Sequence, residues 1–141
     1  MCKRPSAVVF AENLQALIIG DKAGDTYAVT FPDVTLKKKL LFGHCSSIIT
    51  SLAVSADGRY LISADRDEKV RVTCFPSTHI IQSFCMGHTE FVSAVITLKA
   101  LPNLLISGAG DGTVRLWSLD SGLLLDTVVR LLPLLSLASA H

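Results

Sequence analysis

The stretch GAGDGTVRLW, residues 108–117, decides the fold of this chain. Three glycines and an aspartate in its first half are typical of a turn between strands. The second half is a run of β-branched and apolar residues, which predicts a strand. Because a strand and not a helix follows the glycines, the stretch is not the phosphate-binding turn of a dinucleotide site.

The pattern around this stretch recurs 44 residues upstream without a gap. The matches are Gly43-His44 with Gly87-His88, Leu61-Ile62-Ser63 with Leu105-Ile106-Ser107, Asp67 with Asp111, and Val70-Arg71 with Val114-Arg115. A fainter copy lies a further 43 residues upstream, where Ile18-Ile19-Gly20 aligns with Leu61-Ile62-Ser63. The chain therefore holds about three units, with the period of roughly 40–45 residues found in propeller blades.

Each unit predicts four short strands, because apolar runs alternate with turn residues such as Pro102-Asn103 and Asp120-Ser121-Gly122. We predict an all-β fold in which the first, divergent blade covers residues 1–42. The second and third blades cover residues 43–86 and 87–129, and an irregular tail covers residues 130–141.

Composition limits the classes of function. The chain has 141 residues, of which 50% are hydrophobic, and its formal net charge is +1. Such a chain is not disordered, and it carries no strong global field to attract nucleic acid. The four cysteines and four histidines show no paired spacing of zinc ligands, so no metal site is expected. We expect no membrane span and no secretory signal, and interpret the chain as intracellular.

The third unit closely resembles a WD40 repeat, the blade of a β-propeller. In that family a histidine, a serine or threonine, an aspartate and a tryptophan form a buried hydrogen-bond network. By resemblance these are His88, Ser107, Asp111 and Trp117 in the third blade, and His44, Ser63 and Asp67 in the second, where Thr73 replaces the tryptophan. The first blade lacks both the Gly-His pair and the aspartate. Physical chemistry supports the network, because a buried carboxylate and a buried indole N–H both need partners.

A histidine, an aspartate and a serine also invite a hydrolase reading. Here the set recurs once per unit on a repeat template, which favours a structural role. Three blades are fewer than the roughly 4–8 that close a propeller. We therefore expect the chain to be a fragment or splice product of a larger ring, or to assemble with further blades. The tail is either sequence from outside the repeat or a short helix that covers an open edge.

Two segments off the template are specific, SADRDEKVRV at residues 63–72 and SFCMGHTEFVS at residues 83–93. Together with DKAGDTY at residues 21–27 they resemble the WD-repeat non-catalytic subunit of the eukaryotic tRNA (guanine-N7-)-methyltransferase, over roughly residues 7–125. The resemblance implies about three blades of a seven-blade ring. It also implies a heterodimer with a separate catalytic subunit, which holds S-adenosylmethionine and methylates a guanine N7 in tRNA.

What the resemblance implies for this chain is a non-catalytic, nuclear protein that stabilises and orients the enzyme. It would bind no cofactor or small-molecule substrate itself, and would meet tRNA through the complex. The candidate contacts are Arg66, Glu68 and Lys69 in one turn and Glu90 and Phe91 in another. Alternatively, the charges are simply solvated and Phe91 packs between blades. The cluster Lys37–Lys39 could bind phosphate or protect a strand edge. The alternative function is a generic WD-repeat scaffold or adaptor of another protein complex.

Overall fold

The computed structural model describes residues 4–30, 39–44, 47–67 and 69–129. The first sheet contains β1 (Pro5–Ala11), β2 (Ala16–Asp21), β3 (Asp25–Thr30) and β4 (Lys39–Gly43), with a 3-10 turn at Glu12–Leu14. The second contains β5 (Ile49–Val54), β6 (Tyr60–Asp65), β7 (Val70–Cys74) and β8 (Ile81–Cys85). The third contains β9 (Val92–Thr97), β10 (Leu104–Ala109), β11 (Thr113–Ser118) and β12 (Leu124–Val129).

The strands of each sheet are antiparallel and follow one another in chain order. The first strand of the middle sheet, β5, contacts the first strands of the other two sheets, β1 and β9, and the three form an inner layer. The prediction of an all-β fold with four strands per unit is therefore confirmed. The predicted tail, residues 130–141, lies outside the described residues.

One detail of the predicted repeat is wrong. Strands β2, β6 and β10 begin at residues 16, 60 and 104, so the first two sheets are related by 44 residues and not by 43. A shift of one residue would turn every side chain to the opposite face of a strand. In the observed register Ile18 and Ile62 correspond, and both are fully buried against the following sheet. Ile18-Ile19-Gly20 matched Leu61-Ile62-Ser63 by chance, because both segments consist largely of apolar residues.

Two apolar cores hold the sheets together. Between the first and second sheets, Ile18 packs with Ile49, Leu52 and Leu61. Between the second and third, Ile62 and Val72 pack with Leu105 and Trp117. Gly20 allows the first approach to be close, because a Cβ at this residue would lie 2.5 Å from Cγ2 of Ile49. The backbone of β2 therefore lies in direct contact with the Ile49 side chain of β5.

Hydroxyl groups also link the inner strands. The Ser6 Oγ donates to the carbonyl of Ile49 at 2.5 Å, and the Thr50 Oγ1 donates to the carbonyl of Val92 at 2.5 Å. In both cases the second residue of one inner strand bonds to the first residue of the next. These bonds fix the register between neighbouring sheets.

Helical structure is limited to Glu12–Leu14 in the described part of the chain, and none of it has the length and hydrophobicity of a membrane span. Of the two described cysteines, Cys85 is buried and Cys74 half-buried, and both are free thiols. Burial raises the pKa of the Cys85 thiol to about 12. This thiol is therefore protonated and unreactive at neutral pH.

Candidate protein-interaction site

A continuous hydrogen-bond network crosses the third sheet. The indole Nε1 of Trp117 donates to Ser107 Oγ at 2.7 Å, and Ser107 Oγ lies 2.7 Å from Nε2 of His88. The other ring nitrogen of His88, Nδ1, lies 2.9 Å from Oδ2 of Asp111. The four residues named for this network by the WD resemblance are therefore joined in one buried array.

The network holds a charged carboxylate in place. Burial opposes ionisation of Asp111, but hydrogen bonds from Thr113, His88 and Thr89 outweigh it and hold the pKa of this carboxyl well below its usual range. Ser107 is fully buried, and its oxygen is already in contact with Trp117 and His88. The arrangement therefore presents no accessible nucleophile and serves to position the loops at one end of the sheet.

In the second sheet the acid of the network is Asp65, and the prediction of Asp67 is wrong. His44 Nδ1 lies 2.7 Å from Asp65 Oδ2, and its Nε2 lies 2.7 Å from Ser63 Oγ. Asp67 is exposed, and its backbone N–H donates to Oδ1 of Asp65. The carboxylate belongs to the last residue of β6, two residues earlier than the repeat register placed it, and the turn wraps around it.

The same turn occurs in the first sheet. Asp21 and Asp65 correspond at the ends of β2 and β6, and each Oδ1 accepts the backbone N–H groups two and four residues later. The prediction that the first blade lacks the aspartate is thus also wrong, since Asp21 is fully buried there. For Asp65, burial opposes ionisation, but hydrogen bonds led by that of His44 lower the pKa of the carboxyl.

The second sheet has no tryptophan in its network, and this changes the hydrogen bonding of the sheet. Thr73 is fully buried at the position that Trp117 occupies in the third sheet. Its hydroxyl has no hydrogen-bond partner, and Ser63 receives no indole N–H there. The second sheet therefore lacks the hydrogen bond that joins the third and second strands in the third sheet.

An arginine of the same sheet, Arg71, lies between two aromatic rings. The guanidinium carbon of Arg71 is 5.5 Å from the ring centre of Phe42 in the first sheet and 5.8 Å from that of Phe84 in the second. Arg71 Nη1 also donates to the carbonyl of Gly43 at 3.2 Å. Burial lowers the pKa of Arg71, although an arginine stays charged at any physiological pH.

These residues border an open cavity of about 320 Å³, lined by His44, Asp65, Lys69, Arg71, Phe84 and Met86. Phe84 is 42% and Met86 59% exposed, and Lys69 is exposed as well. Two cations and two large apolar side chains thus share one concave surface, which we call the Arg71 cluster (Lys69, Arg71, Phe84 and Met86). Sequence reasoning missed Arg71, Phe84 and Met86, because Arg71 is a repeat position inside a strand and its aromatic neighbours come from two sheets.

The residues predicted to bind a partner lie at the same end of the sheets as the Arg71 cluster. The β6–β7 turn carries Arg66 and Lys69, and the β8–β9 loop carries Glu90 and Phe91; all four are exposed. Lys69 lines the cavity, whereas Glu90 and Phe91 do not. Phe91 lies against Gly110, where a Cβ would come within 2.4 Å of its ring. Glu68, also predicted, lies outside the described residues.

No group of three or more His, Cys, Asp or Glu side chains within the described ranges could hold a metal ion. Of the basic cluster Lys37–Lys39, Lys39 is described; it begins the edge strand β4 and is exposed.

The repeated four-stranded sheet, with a histidine from the preceding loop bonded to a serine on its second strand, defines a WD-repeat protein of the β-propeller class. Solved structures agree with this class. The chain superimposes on the structure of U3-55K with a TM-score of 0.78 and 21% identity, covering 89% of this chain and 39% of that one. For the computationally designed Ika4 protein the TM-score is 0.72 and the identity 25%, over 89% of this chain and 72% of that one.

The family described as the tRNA methyltransferase TRM82 WD40 domain matches residues 30–137. The chain belongs to this family. It is 42% identical over 120 residues to the Xenopus laevis tRNA (guanine-N(7)-)-methyltransferase non-catalytic subunit wdr4, which covers 85% of this chain and 30% of the relative. The Homo sapiens WDR4 subunit of the same description is 41% identical over 86% of this chain and 29% of its own length. The chain thus spans about a third of the length of the relatives it matches.

Proposed function

We propose that this chain is a non-catalytic WD-repeat subunit that binds and stabilises the catalytic subunit of a tRNA guanine-N7 methyltransferase. The names of the relatives describe such a subunit, and the family match supports carrying that role over. The buried, fully bonded Ser107 and His88 support a role without catalysis. Methyl transfer, its cofactor and the tRNA substrate then belong to the complex as a whole.

The observation that carries the proposal is the exposed Arg71 cluster. Arginine and aromatic side chains dominate the binding energy of protein interfaces. Arg71 is held by Phe42, Phe84 and the Gly43 carbonyl, so little side-chain entropy is lost when a partner binds. Its charge, with that of Lys69, favours a carboxylate of the enzyme next to an apolar side chain that enters the cavity. Arg66, Glu68, Glu90 and Phe91 would form the surrounding contacts.

Co-expression with the catalytic subunit tests the proposal. We expect the unmodified chain to co-purify with the enzyme, and Arg71→Ala to weaken binding by at least about tenfold. Arg71→Lys keeps the charge but not the planar stacking, and should recover only part of the loss. Lys99→Glu at the opposite end of the third sheet is the matched control and should bind normally. Equal binding by all four chains would disprove docking at the Arg71 cluster.

Two further parts of the proposal concern tRNA and location. The enzyme complex would place tRNA near Lys37–Lys39, and it would work in the nucleus. Replacing these three lysines with serine should then reduce tRNA binding by the complex and flatten its salt dependence, but leave enzyme capture intact. If tRNA binding does not change, edge protection is the better explanation of these lysines. Fluorescent tagging of the complex would test the nuclear location.

The alternative function is a WD-repeat scaffold or adaptor of a different assembly. It would be favoured if the chain, folded as judged by circular dichroism, fails to bind the catalytic subunit. The scaffold function would also be favoured if the chain binds an unrelated partner and Arg71→Ala weakens that binding by the same factor.

A further inference from the structure

We infer that Met86 is a modification site at which peroxides oxidise the thioether to the sulfoxide, and that this sulfoxide weakens the binding of a partner at the Arg71 cluster. The inference rests on the proposed function, because it concerns the regulation of the same surface. It involves the second sheet and the loop that follows it, in the middle of the chain.

The accessibility of Met86 is the first observation that supports the inference. Met86 is the first residue after β8 and is 59% exposed. It lines the open cavity of about 320 Å³ together with Lys69, Arg71 and Phe84. A reagent as small as hydrogen peroxide therefore reaches this side chain without any opening of the fold. The chain contains one other methionine, Met1.

The neighbouring sulfur groups are less available than Met86. Cys85, the preceding residue, is fully buried, and burial raises the pKa of its thiol to about 12. Because the thiolate is the reactive form of cysteine, this thiol reacts slowly. Cys74 is half-buried, and its thiol donates to Oε1 of Gln82 at 3.8 Å. Met86 is thus the most exposed sulfur group within the part of the chain that the structure describes.

The reaction transfers one oxygen atom. A lone pair of the Met86 sulfur attacks one oxygen of hydrogen peroxide, the O–O bond breaks and an S–O bond forms. The other oxygen leaves as water, so that the sulfur loses a pair of electrons and the peroxide gains it. A methionine sulfoxide reductase reverses the change by oxidising a dithiol to a disulfide, and the oxygen is again released as water. The modification is therefore reversible.

Oxidation changes the apolar wall of the cavity. Met86 and Phe84 are the two large apolar side chains of the Arg71 cluster, and both line the cavity. A sulfoxide is polar, whereas the thioether of methionine packs well against apolar groups. An apolar side chain of the partner would have to strip water from the sulfoxide oxygen as it enters, which costs free energy unless a new hydrogen bond forms.

The new oxygen also competes for the cations of the cluster. A sulfoxide oxygen accepts hydrogen bonds, and both Lys69 and Arg71 line the same cavity as Met86. Arg71 uses Nη1 to reach the Gly43 carbonyl, but a guanidinium has several further N–H donors. A sulfoxide that accepts from these donors would occupy groups that the proposed function assigns to a carboxylate of the enzyme. Both effects weaken docking.

The fold itself should tolerate the modification. The core between the second and third sheets contains Cys85 and Trp117 but not Met86. Changes at exposed residues have little effect on stability when no buried contact is lost. We therefore expect the oxidised chain to keep its midpoint in urea denaturation, so that a change in binding reports on the surface alone.

Peroxide treatment followed by binding to the catalytic subunit tests the inference on the full chain. Peptide mass mapping should show one added oxygen at Met86, and a thiol reductant then reverses the oxidation of cysteines. Complete conversion should raise the dissociation constant for the catalytic subunit at least about fivefold. Treatment with the reductases for both sulfoxide epimers should restore the original value.

Two substitutions at Met86 assign the effect to this residue. Met86→Leu removes the sulfur and keeps all four cysteines, so peroxide should leave its affinity unchanged from its own starting value. Met86→Gln introduces a polar amide without any oxidant and should weaken binding about as much as the sulfoxide does. Leu101→Gln, at a residue 55% exposed between β9 and β10 at the opposite end of the sheets, is the matched control and should bind normally.

The possible failures of the inference and of the proposed function differ. Equal affinity of the treated and untreated chains after full conversion of Met86 would overturn the inference and leave the proposed function standing. So would a Met86 that resists peroxide in the folded chain, or an equal loss of binding by the treated Met86→Leu chain. If the untreated chain does not bind the catalytic subunit, the proposed function is disproved and the inference falls with it.

Discussion

Asp65 and Asp111 bond to the same ring nitrogen of successive histidines, although they are 46 residues apart in a chain that repeats every 44. Asp65 is the last residue of β6, whereas Asp111 lies in the turn after β10. The two carboxylates reach equivalent places from different backbone positions because the turns between the strands differ. The repeat therefore preserves the place in space of the carboxylate oxygen that contacts the histidine, and not the sequence position of the aspartate.

This difference gives a direct test of the corrected network. Asp65→Asn should lower the free energy of unfolding by about 2 kcal/mol, because it removes a buried charge-assisted bond to His44. Asp67→Asn is the matched variant two residues away and should change it by less than about 0.5 kcal/mol, since Asp67 is exposed. Urea denaturation of both chains measures the difference. A larger loss for Asp67→Asn would restore the original assignment.

The hydroxyl of Thr73 should contribute nothing to stability. It is fully buried without a hydrogen-bond partner, a situation that costs about 1–3 kcal/mol relative to an apolar group. Thr73→Val keeps the shape and removes the hydroxyl, so the chain should become as stable or up to about 1 kcal/mol more stable. Thr50→Val is the control, because it removes a bond to the Val92 carbonyl and should destabilise by about 1 kcal/mol. Thermal unfolding followed by circular dichroism compares the two, and a destabilised Thr73→Val chain would point to a partner for this hydroxyl.

The close approach at Gly20 predicts a large effect from one methyl group. In Gly20→Ala the new Cβ would overlap Ile49, which is itself fully buried, so the sheets must move apart. We expect the free energy of unfolding to fall by about 1–3 kcal/mol. Gly108→Ala is the matched strand glycine, with no atom closer than 4.0 Å to its Cβ position. Gly108→Ala should be neutral in urea denaturation, and equal losses for the two variants would refute the packing argument.

Acid should weaken the third sheet through Asp111. The pKa of this carboxyl is lower in the folded chain than the value near 3.9 of an unfolded aspartate. The folded state therefore binds a proton on Asp111 less tightly than the unfolded state does. The stabilisation that the ionised carboxylate gives the folded state is complete above about pH 4. It is lost as the pH falls through the folded-state value.

Replacing the carboxylate isolates this effect. Asp111→Asn should be less stable than the unmodified chain at pH 7, and the difference should shrink as the pH falls from about 4 to about 2. Denaturation midpoints at a series of pH values measure it. A difference that stays constant over this range would show that the ionised form of Asp111 does not stabilise the fold.

How far the sequence predicts this molecule depends on the range of each interaction. The four strands of the third unit were predictable, since apolar runs and turn residues are local signals. The network of His88, Ser107, Asp111 and Trp117 followed from the repeat template, because all four residues match it. Asp65 was missed because the turn offers two aspartates, and only the end of β6 decides between them.

The Arg71 cluster was beyond prediction for a different reason. Phe42 and Phe84 are 42 residues apart and belong to different sheets. Their approach to one guanidinium depends on how two sheets pack, and no local pattern encodes it. The same is true of Thr73, whose lack of a partner follows from what the neighbouring strands supply.

The hydroxyl bonds from Ser6 and Thr50 run from each inner strand to the one that follows it in the chain. Such a contact has a donor side and an acceptor side, so it is directional and not symmetric. Sheets can be appended in one sense of rotation only, and a sheet inserted back to front would meet a hydroxyl with a hydroxyl. The order of the three sheets is in this way favoured by single side chains, Ser6 and Thr50, on the inner strands.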